Sequence, residues 1–334
     1  MGEKIRLGVV GCGHWGPNHI RIFSAFENSE VPVCCDVNKG RLTAVKKMFP
    51  SIETSSDFRE VVERKDIDGI VVSTPVRYHY QVAQAALEAG KDVLCEKPMT
   101  QTVAEGEELI SLAKKNNRIL MVGHVFLYNM GIRRLKEYIK NGDLGQIYYI
   151  HCTRTNLGPI REDVNAVYDL ASHDISICSY LLDANPIEVV AKGEIFLQHK
   201  VEDVAFISLG YPGKILANIH VSWLDPRKVR QITIVGDKKM VFWDDLNSSE
   251  PIRLYDKKVI QEPYYSDFGE FQLLPKEGDV ISPKINLSEP LKVQAAHFLE
   301  CVKERKTPMS DGEDGLNVVR VLCKIESLLK KSRA

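Results

Sequence analysis

Four groups of residues in this chain have the types and spacing to do chemistry. The first is Glu96-Lys97-Pro98, which closes the apolar run 92–95. A run of that kind reads as a buried strand, and the proline cannot continue its pairing. A lysine delivered there is either half of a surface ion pair or a partly desolvated group that binds a hydroxyl and handles its proton. The second is Asp169-x-x-x-His173, whose four-residue spacing puts both side chains on one helix face. Such a pair is either a helix-surface contact or a general base with the carboxylate that orients it. The third is Gly11-Cys12-Gly13-His14-Trp15-Gly16, and the fourth is the acid Asp36.

Together these groups suit the oxidation of a secondary alcohol. Removing a hydride leaves a carbonyl and a proton, so the site needs a nicotinamide, a base, and a cation beside the oxygen. Lys97, Asp169 and His173 supply the last two. Asp169, His173 and Asp174 also carry metal-ligating groups, but no third and fourth ligand stands nearby, and no metal is expected.

The elements that must position these residues can be read in order. Residues 5–10 are a short apolar strand, the glycine turn follows at once, and 18–27 has helical spacing. In that order the first glycine allows the tight turn, the second lets a pyrophosphate approach the backbone, and the third lets helix pack on strand. Trp15 either lines that turn or only closes the helix start. The strand 31–36 ends in Asp36, where a dinucleotide fold places the carboxylate for the adenosine ribose. That acid repels a 2′-phosphate and favours NAD; Arg41 either pairs with such a phosphate, keeping NADP open, or covers the adenine. Asp36 as a mere cap for the helix 38–49 is the alternative.

Further alternation follows, with strands at 67–72, 92–95 and 119–122 and helices at 81–89 and 103–116. It predicts a parallel, doubly wound sheet over residues 4–122. Its strands end at Gly11, Asp36, Ser73-Thr74, Glu96-Lys97 and Gly123-His124, so these converge on one crevice. His79 is a cofactor contact or a capping residue. Beyond 128 the pattern changes to a helix through 139, a strand at 146–154, a polar loop at 156–168, and a helix at 169–182. Alternating runs at 187–195, 203–209, 215–222, 229–235 and 239–243 predict one large, mainly antiparallel sheet, and helices at 289–303 and 315–331 finish the chain. Residues 244–283 read only as strands and loops.

The bulk numbers narrow the class. At 334 residues there is length for two domains with sizeable cores. With 44 basic and 45 acidic residues and no block of like charge, neither nucleic acid nor an anionic membrane is indicated as a partner. The chain runs from Met1 into a strand rather than a signal-peptide core, and no apolar run is long enough to span a bilayer, so a cytoplasmic location is expected. The eight cysteines lack any Cys-x-x-Cys spacing and read as buried, reduced thiols.

With its glycine turn, Thr74-Pro75 followed by His79, Glu96-Lys97-Pro98 and Asp169-x-x-x-His173, the chain resembles the glucose-fructose oxidoreductase and inositol dehydrogenase (Gfo/Idh/MocA) family. The resemblance implies a Rossmann domain over 1–122 that binds NAD through Gly11 to Gly16, Asp36, Arg41, Ser73, Thr74, His79, Glu96 and Lys97. It implies an α/β domain over 123–334, an open sheet that supports a homo-oligomer (dimer or tetramer), and carboxy-terminal helices packing back on the first domain. It also implies that Lys97 contacts the reacting hydroxyl, that His173 acts as acid and base with Asp169, and that the Lys97-Pro98 bond is cis. Residues 123–129, 161–165 and 168–174 look like the nucleotide-sugar branch, the UDP-N-acetylglucosamine 3-dehydrogenases, whose 3-keto product feeds an aminotransferase. That likeness adds His124, Tyr128, Arg161 and Asn165 to the expected substrate site, with Tyr168 standing where that branch commonly has tryptophan. Arg161 suits a diphosphate or a loop ion pair. The alternatives are a polyol dehydrogenase of the inositol type and a non-catalytic NAD-binding regulator.

Overall fold

The structure, a computed structural model, describes residues 4–158, 160, 164–197, 201–263 and 271–333. Their elements run in two series. The first is β1 (Ile5–Val10), α1 (Trp15–Ser24), β2 (Ser29–Cys35), α2 (Lys39–Met48), β3 (Glu53–Ser55), α3 (Phe58–Val62), β4 (Gly69–Val72), α4 (His79–Glu88), β5 (Asp92–Cys95), α5 (Val103–Lys115) and β6 (Leu120–Val122). The second is α6 (Met130–Lys140), β7 (Ile147–Leu157), α7 (Ser172–Leu182), β8 (Glu188–Glu194), β9 (Val204–Tyr211), β10 (Ile215–Ser222), β11 (Leu224–Gly236), β12 (Met240–Asp244), β13 (Ile252–Pro263), β14 (Phe271–Ile281), α8 (Pro290–Glu304) and α9 (Gly312–Arg333).

The first sheet has six parallel strands in the order β3-β2-β1-β4-β5-β6. Strands β4 and β5 are buried at every position, as strands covered by helices on both faces must be. Its core includes Val33, Ile70, Val72, Val93, Cys95 and Val122 from the strands, with Ala83, Leu87, Leu109 and Ile110 from α4 and α5. Helix α5 opens on a capping box, in which Thr102 takes the Glu105 N–H and the Glu105 carboxylate returns to the Thr102 N–H.

The chain divides into two compact units, Met1–Tyr128 with Ser288–Cys323, and Asn129–Leu287 with Lys324–Ala334. The sequence places the boundary at 122/123; the compact division falls at 128/129. Residues 288–323 join the first unit through physical contacts: Phe298 of α8 meets Phe23 of α1 edge to face, and Ser310 exchanges hydrogen bonds with Val122 at the sheet's edge.

The second unit is built on an eight-stranded sheet in the order β14-β13-β12-β11-β7-β10-β9-β8, antiparallel throughout except for β7 beside β10. Helices α6 and α7 cover one face. Close approach at Gly131, where a Cβ would lie 2.2 Å from Nε1 of Trp243, seats α6 on β12. Cys178 of α7 meets Cys152 of β7 with their sulfurs 3.7 Å apart. Among the described residues no helix is long and apolar enough to cross a membrane.

Candidate functional site

In the first unit the glycine turn is fixed by backbone crowding. Gly11 has φ +100°, and a Cβ on it would meet the Ser73 carbonyl at 2.5 Å; a Cβ on Gly16 would meet the Gly11 carbonyl oxygen at 2.1 Å. Only glycine fits either position. Gly13 differs, since the nearest atom to its Cβ position is Nη1 of Arg41 at 3.9 Å, which leaves an open face over the turn. Helix α1 starts at Trp15, three residues earlier than the periodicity suggests, and His14 at its amino end gives no side-chain cap. Its first N–H groups therefore face the turn, where a pyrophosphate is bound by such helix ends. The His14 ring packs edge-on against Trp15, and the Cys12 thiol turns inward to the Cys35 carbonyl, so Cys12 offers the site its backbone.

Asp36 is buried and accepts the Cys12 N–H at 2.7 Å and the Asn38 N–H at 2.8 Å. The cap of α2 is Asn38, which takes the Arg41 N–H, so the reading of Asp36 as that helix's cap does not hold. The Arg41 guanidinium lies 3.5 Å from Asp36 and is half exposed. Ser73 donates to the Gly11 carbonyl at 2.7 Å and ties β4 to the turn. The hydroxyl of neighbouring Thr74 is buried without a partner among the described residues. An open Gly13, an uncapped helix end and a fixed carboxylate are together what a dinucleotide requires.

At the end of β5, Glu96 is buried and meets Nε2 of His19 at 2.8 Å. The Lys97-Pro98 peptide is cis, and Lys97 is half buried. His79 is buried at the start of α4, with Nδ1 at 2.8 Å from the Pro98 carbonyl and Nε2 at 2.8 Å from the Thr74 carbonyl, so it ties the two loops together. Burial pulls its pKa below the ordinary value, against the raising effect of those carbonyls. His124 is buried beyond β6; burial, aided by the Lys97 charge, pushes its pKa down to about 4. Tyr128 is fully buried in the first unit with its hydroxyl 3.0 Å from that of Ser310 and its ring near His297, which gives it a packing role.

In the second unit Asp169 lies on a single π-helical turn, Val167–Ala171, and His173 in the first turn of α7. The helix thus begins earlier than the sequence suggests and with a wider turn, a feature common at functional positions. Trp223 donates its indole N–H to Asp169 at 3.4 Å. Asn165 is spent on structure, donating to Glu202 at 2.9 Å and accepting the Tyr168 N–H at 3.0 Å as a cap for the π turn. The Tyr168 hydroxyl donates to Glu326. Asp174, beside His173, forms a buried two-bond pair with Arg154 of β7 at 2.8 and 2.9 Å. Arg161 lies outside the described residues.

Sequence reasoning missed His19, although it lies with Gly16, Ile20 and Phe23 on the buried face of α1 at helical spacing. It also missed Trp223 and Arg154, whose partners are distant in sequence.

A glycine turn between strand and helix and an acid ending the second strand define a dinucleotide-binding α/β protein. Comparison with known proteins agrees. Residues 5–124 match the family model described as the oxidoreductase family with NAD-binding Rossmann fold (GFO_IDH_MocA), and residues 132–242 match the GFO/IDH/MocA C-terminal domain. The chain belongs to the Gfo/Idh/MocA oxidoreductases, and NAD is its cofactor. It is similar to a myo-inositol 2-dehydrogenase of Thermotoga maritima, 25% identical over 93% of this chain and 92% of that one. It is equally similar to a UDP-N-acetylglucosamine 3-dehydrogenase of Acidithiobacillus ferrooxidans, 24% identical over 98% of this chain and 99% of that one. The solved structure of the Acidithiobacillus enzyme superposes with a TM-score of 0.79 at 22% identity, covering 99% of both chains, which shows a shared fold.

Proposed function

We propose that this protein is a sugar dehydrogenase that oxidises the C3 hydroxyl of UDP-N-acetylglucosamine with NAD, giving a 3-keto sugar for a partner aminotransferase. The observation that carries the substrate is the end-to-end likeness to the Acidithiobacillus enzyme. Arg161, in a stretch like that of the nucleotide-sugar branch, suits the diphosphate. Oxidation of a free polyol is the second reading, favoured by the likeness to the Thermotoga inositol dehydrogenase.

NAD, when bound, is the two-electron oxidant that accepts a hydride from the carbinol carbon. Lys97 donates a hydrogen bond to the reacting oxygen and stabilises the negative charge that grows there as its proton leaves. His173 takes the proton, and Asp169 holds the ring in the tautomer that accepts it. The protein acts as a homo-oligomer through the free face of its eight-stranded sheet.

The test is incubation with NAD and, separately, UDP-N-acetylglucosamine, UDP-N-acetylglucosaminuronate and myo-inositol, with 2-oxoglutarate present to reoxidise any retained NADH and with mass analysis of products. Oxidation of UDP-N-acetylglucosamine is expected, and Lys97→Ala should lower kcat by roughly 10²–10⁴. Turnover of inositol alone would sink the substrate assignment, and an unchanged kcat in Lys97→Ala would sink the role of the lysine.

A further inference from the structure

Next to Lys97 the first unit buries a carboxylate that hydride transfer does not by itself require. Glu96 is 8% exposed and its partner His19 only 1%. One carboxylate oxygen meets Nε2 of His19 at 2.8 Å, and the other accepts the Lys97 N–H at 3.3 Å. The neighbouring strand end makes room for it. A Cβ at Gly123 would lie 3.0 Å from Oε2 and 3.1 Å from Cδ of Glu96, so any other residue there would press on the carboxylate. His19 from α1, His79 from α4, Cys95 from β5, Lys97, and His124 beyond β6 are the titratable groups that bear on Glu96.

The charges in this cluster can be assigned one by one. Burial pushes the Glu96 pKa up, but the hydrogen bond and charge of His19, with the charges of Lys97 and His79, outweigh it and hold the group below its ordinary value. Glu96 is therefore an anion. Burial keeps the Cys95 thiol protonated and His124 neutral near pH 7. Nδ1 of His19 has no partner among the described residues. Burial lowers the pKa of His79, whose two ring nitrogens each face a carbonyl oxygen. Of the groups around Glu96, Lys97 is the one that is partly exposed, and its charge bears on the carboxylate, a buried anion being costly without a cation.

We propose that Glu96, locked by His19, is a fixed counter-charge that keeps Lys97 an ammonium, which makes both of them positioning residues for the reaction. This rests on the reading of Lys97 as the group that binds the reacting hydroxyl. Its consequence is a division of labour, because a lysine held protonated donates a hydrogen bond and leaves the hydroxyl proton to His173.

The experiment reads the lysine directly. Glu96→Gln keeps the shape of the side chain and a hydrogen bond to His19 while removing the charge. Acylation of the Lys97 amine by acetic anhydride is followed against pH by peptide mass spectrometry on the intact protein, alongside the pH profile of kcat. In Glu96→Gln the acylation midpoint should move at least about one unit lower, the size of shift that one neighbouring charge produces. The alkaline limb of kcat should move with it. His19→Asn should shift both in the same direction by less, and it carries the test alone if Glu96→Gln fails to fold by circular dichroism. Acylation profiles that overlay the wild type in the folded variants overturn the proposal, whatever happens to turnover. A shifted profile in a protein that oxidises no sugar leaves the charge assignment standing and overturns the proposed reaction instead.

Discussion

His124 shows what one buried side chain does to the pH dependence of the whole fold. Both of its ring nitrogens lack partners among the described residues, and its pKa falls from 6.5 to about 4 through burial. Between those values the unfolded chain binds a proton that the folded chain refuses, so the unfolded state gains as pH falls. The stability tied to a neutral His124 is complete above pH 6.5 and is lost as pH drops toward 4, by roughly 3 kcal/mol if the full shift is realised. His124→Asn should flatten that slope in urea midpoints measured from pH 7 to 4; an unchanged slope would place the acid sensitivity elsewhere. At this scale some of the site was legible and some was not. The positions of Gly11, Gly16, Asp36 and Lys97 could be read because each stands at a set distance from a strand end. The structural partners of Tyr128 and Asn165 could not be read. A tyrosine hydroxyl satisfied by Ser310 and an asparagine that caps a π turn look the same in sequence as groups turned toward a substrate.

Between elements, the joint that matters most for the proposed acid-base pair is β7 to α7. Arg154 and Asp174 have side chains 4% and 2% exposed, and their two hydrogen bonds clamp the strand to the helix turn that carries His173. Removing one partner strands the other charge in the core, which typically costs 3–5 kcal/mol, whereas replacing both by apolar groups is often nearly neutral. Arg154→Met should therefore destabilise the second unit by about 3–5 kcal/mol. The double variant Arg154→Met with Asp174→Leu should regain most of that loss in guanidinium unfolding followed by tryptophan fluorescence. If the double variant is no better than the single one, the pair contributes more than mutual neutralisation. The first sheet was legible almost throughout, because continuous apolar runs separated by helical periods leave little choice for a parallel sheet. Two parts escaped. β3 is only three residues long and not buried, so it carries no hydrophobic signal. β13 and β14 pair with each other at the sheet's edge, and their described side chains at Val259, Leu273, Val280 and Ile281 are exposed, so the alternation that marks a half-buried strand is missing.

For the molecule as a whole, the eight-stranded sheet leaves one face without a covering layer among the described residues of its own unit. The register puts Tyr149, Leu216, Gly210 and Glu188 in one row, His151, Asn218, Ser208 and Val190 in the next, and Thr153, His220, Phe206 and Lys192 in a third. Side chains alternate across a strand, so these stand opposite Ile150, Cys152, Ile207, Leu209, Ala217 and Ile219, which are buried. Tyr149, Val190, Phe206 and Leu216 are all exposed, and Phe206 stacks on His220 with ring centroids 4.4 Å apart. Four exposed apolar side chains set among the polar ones of this face make it the expected association surface, and a face on every copy makes a second copy the natural partner through a two-fold axis. The net charge of −1 offers little repulsion to oppose it. Light scattering should return a multiple of the 37.7 kDa chain mass, and Phe206→Glu with Leu216→Glu should reduce it to the single-chain value without changing the circular dichroism spectrum. Because these side chains point away from Asp169, His173 and the helices that carry them, NAD affinity in the dissociated variant should stay within about threefold of the wild type, less than 1 kcal/mol. A wild-type protein that runs as a single chain at micromolar concentration would rule out this face as a self-association surface.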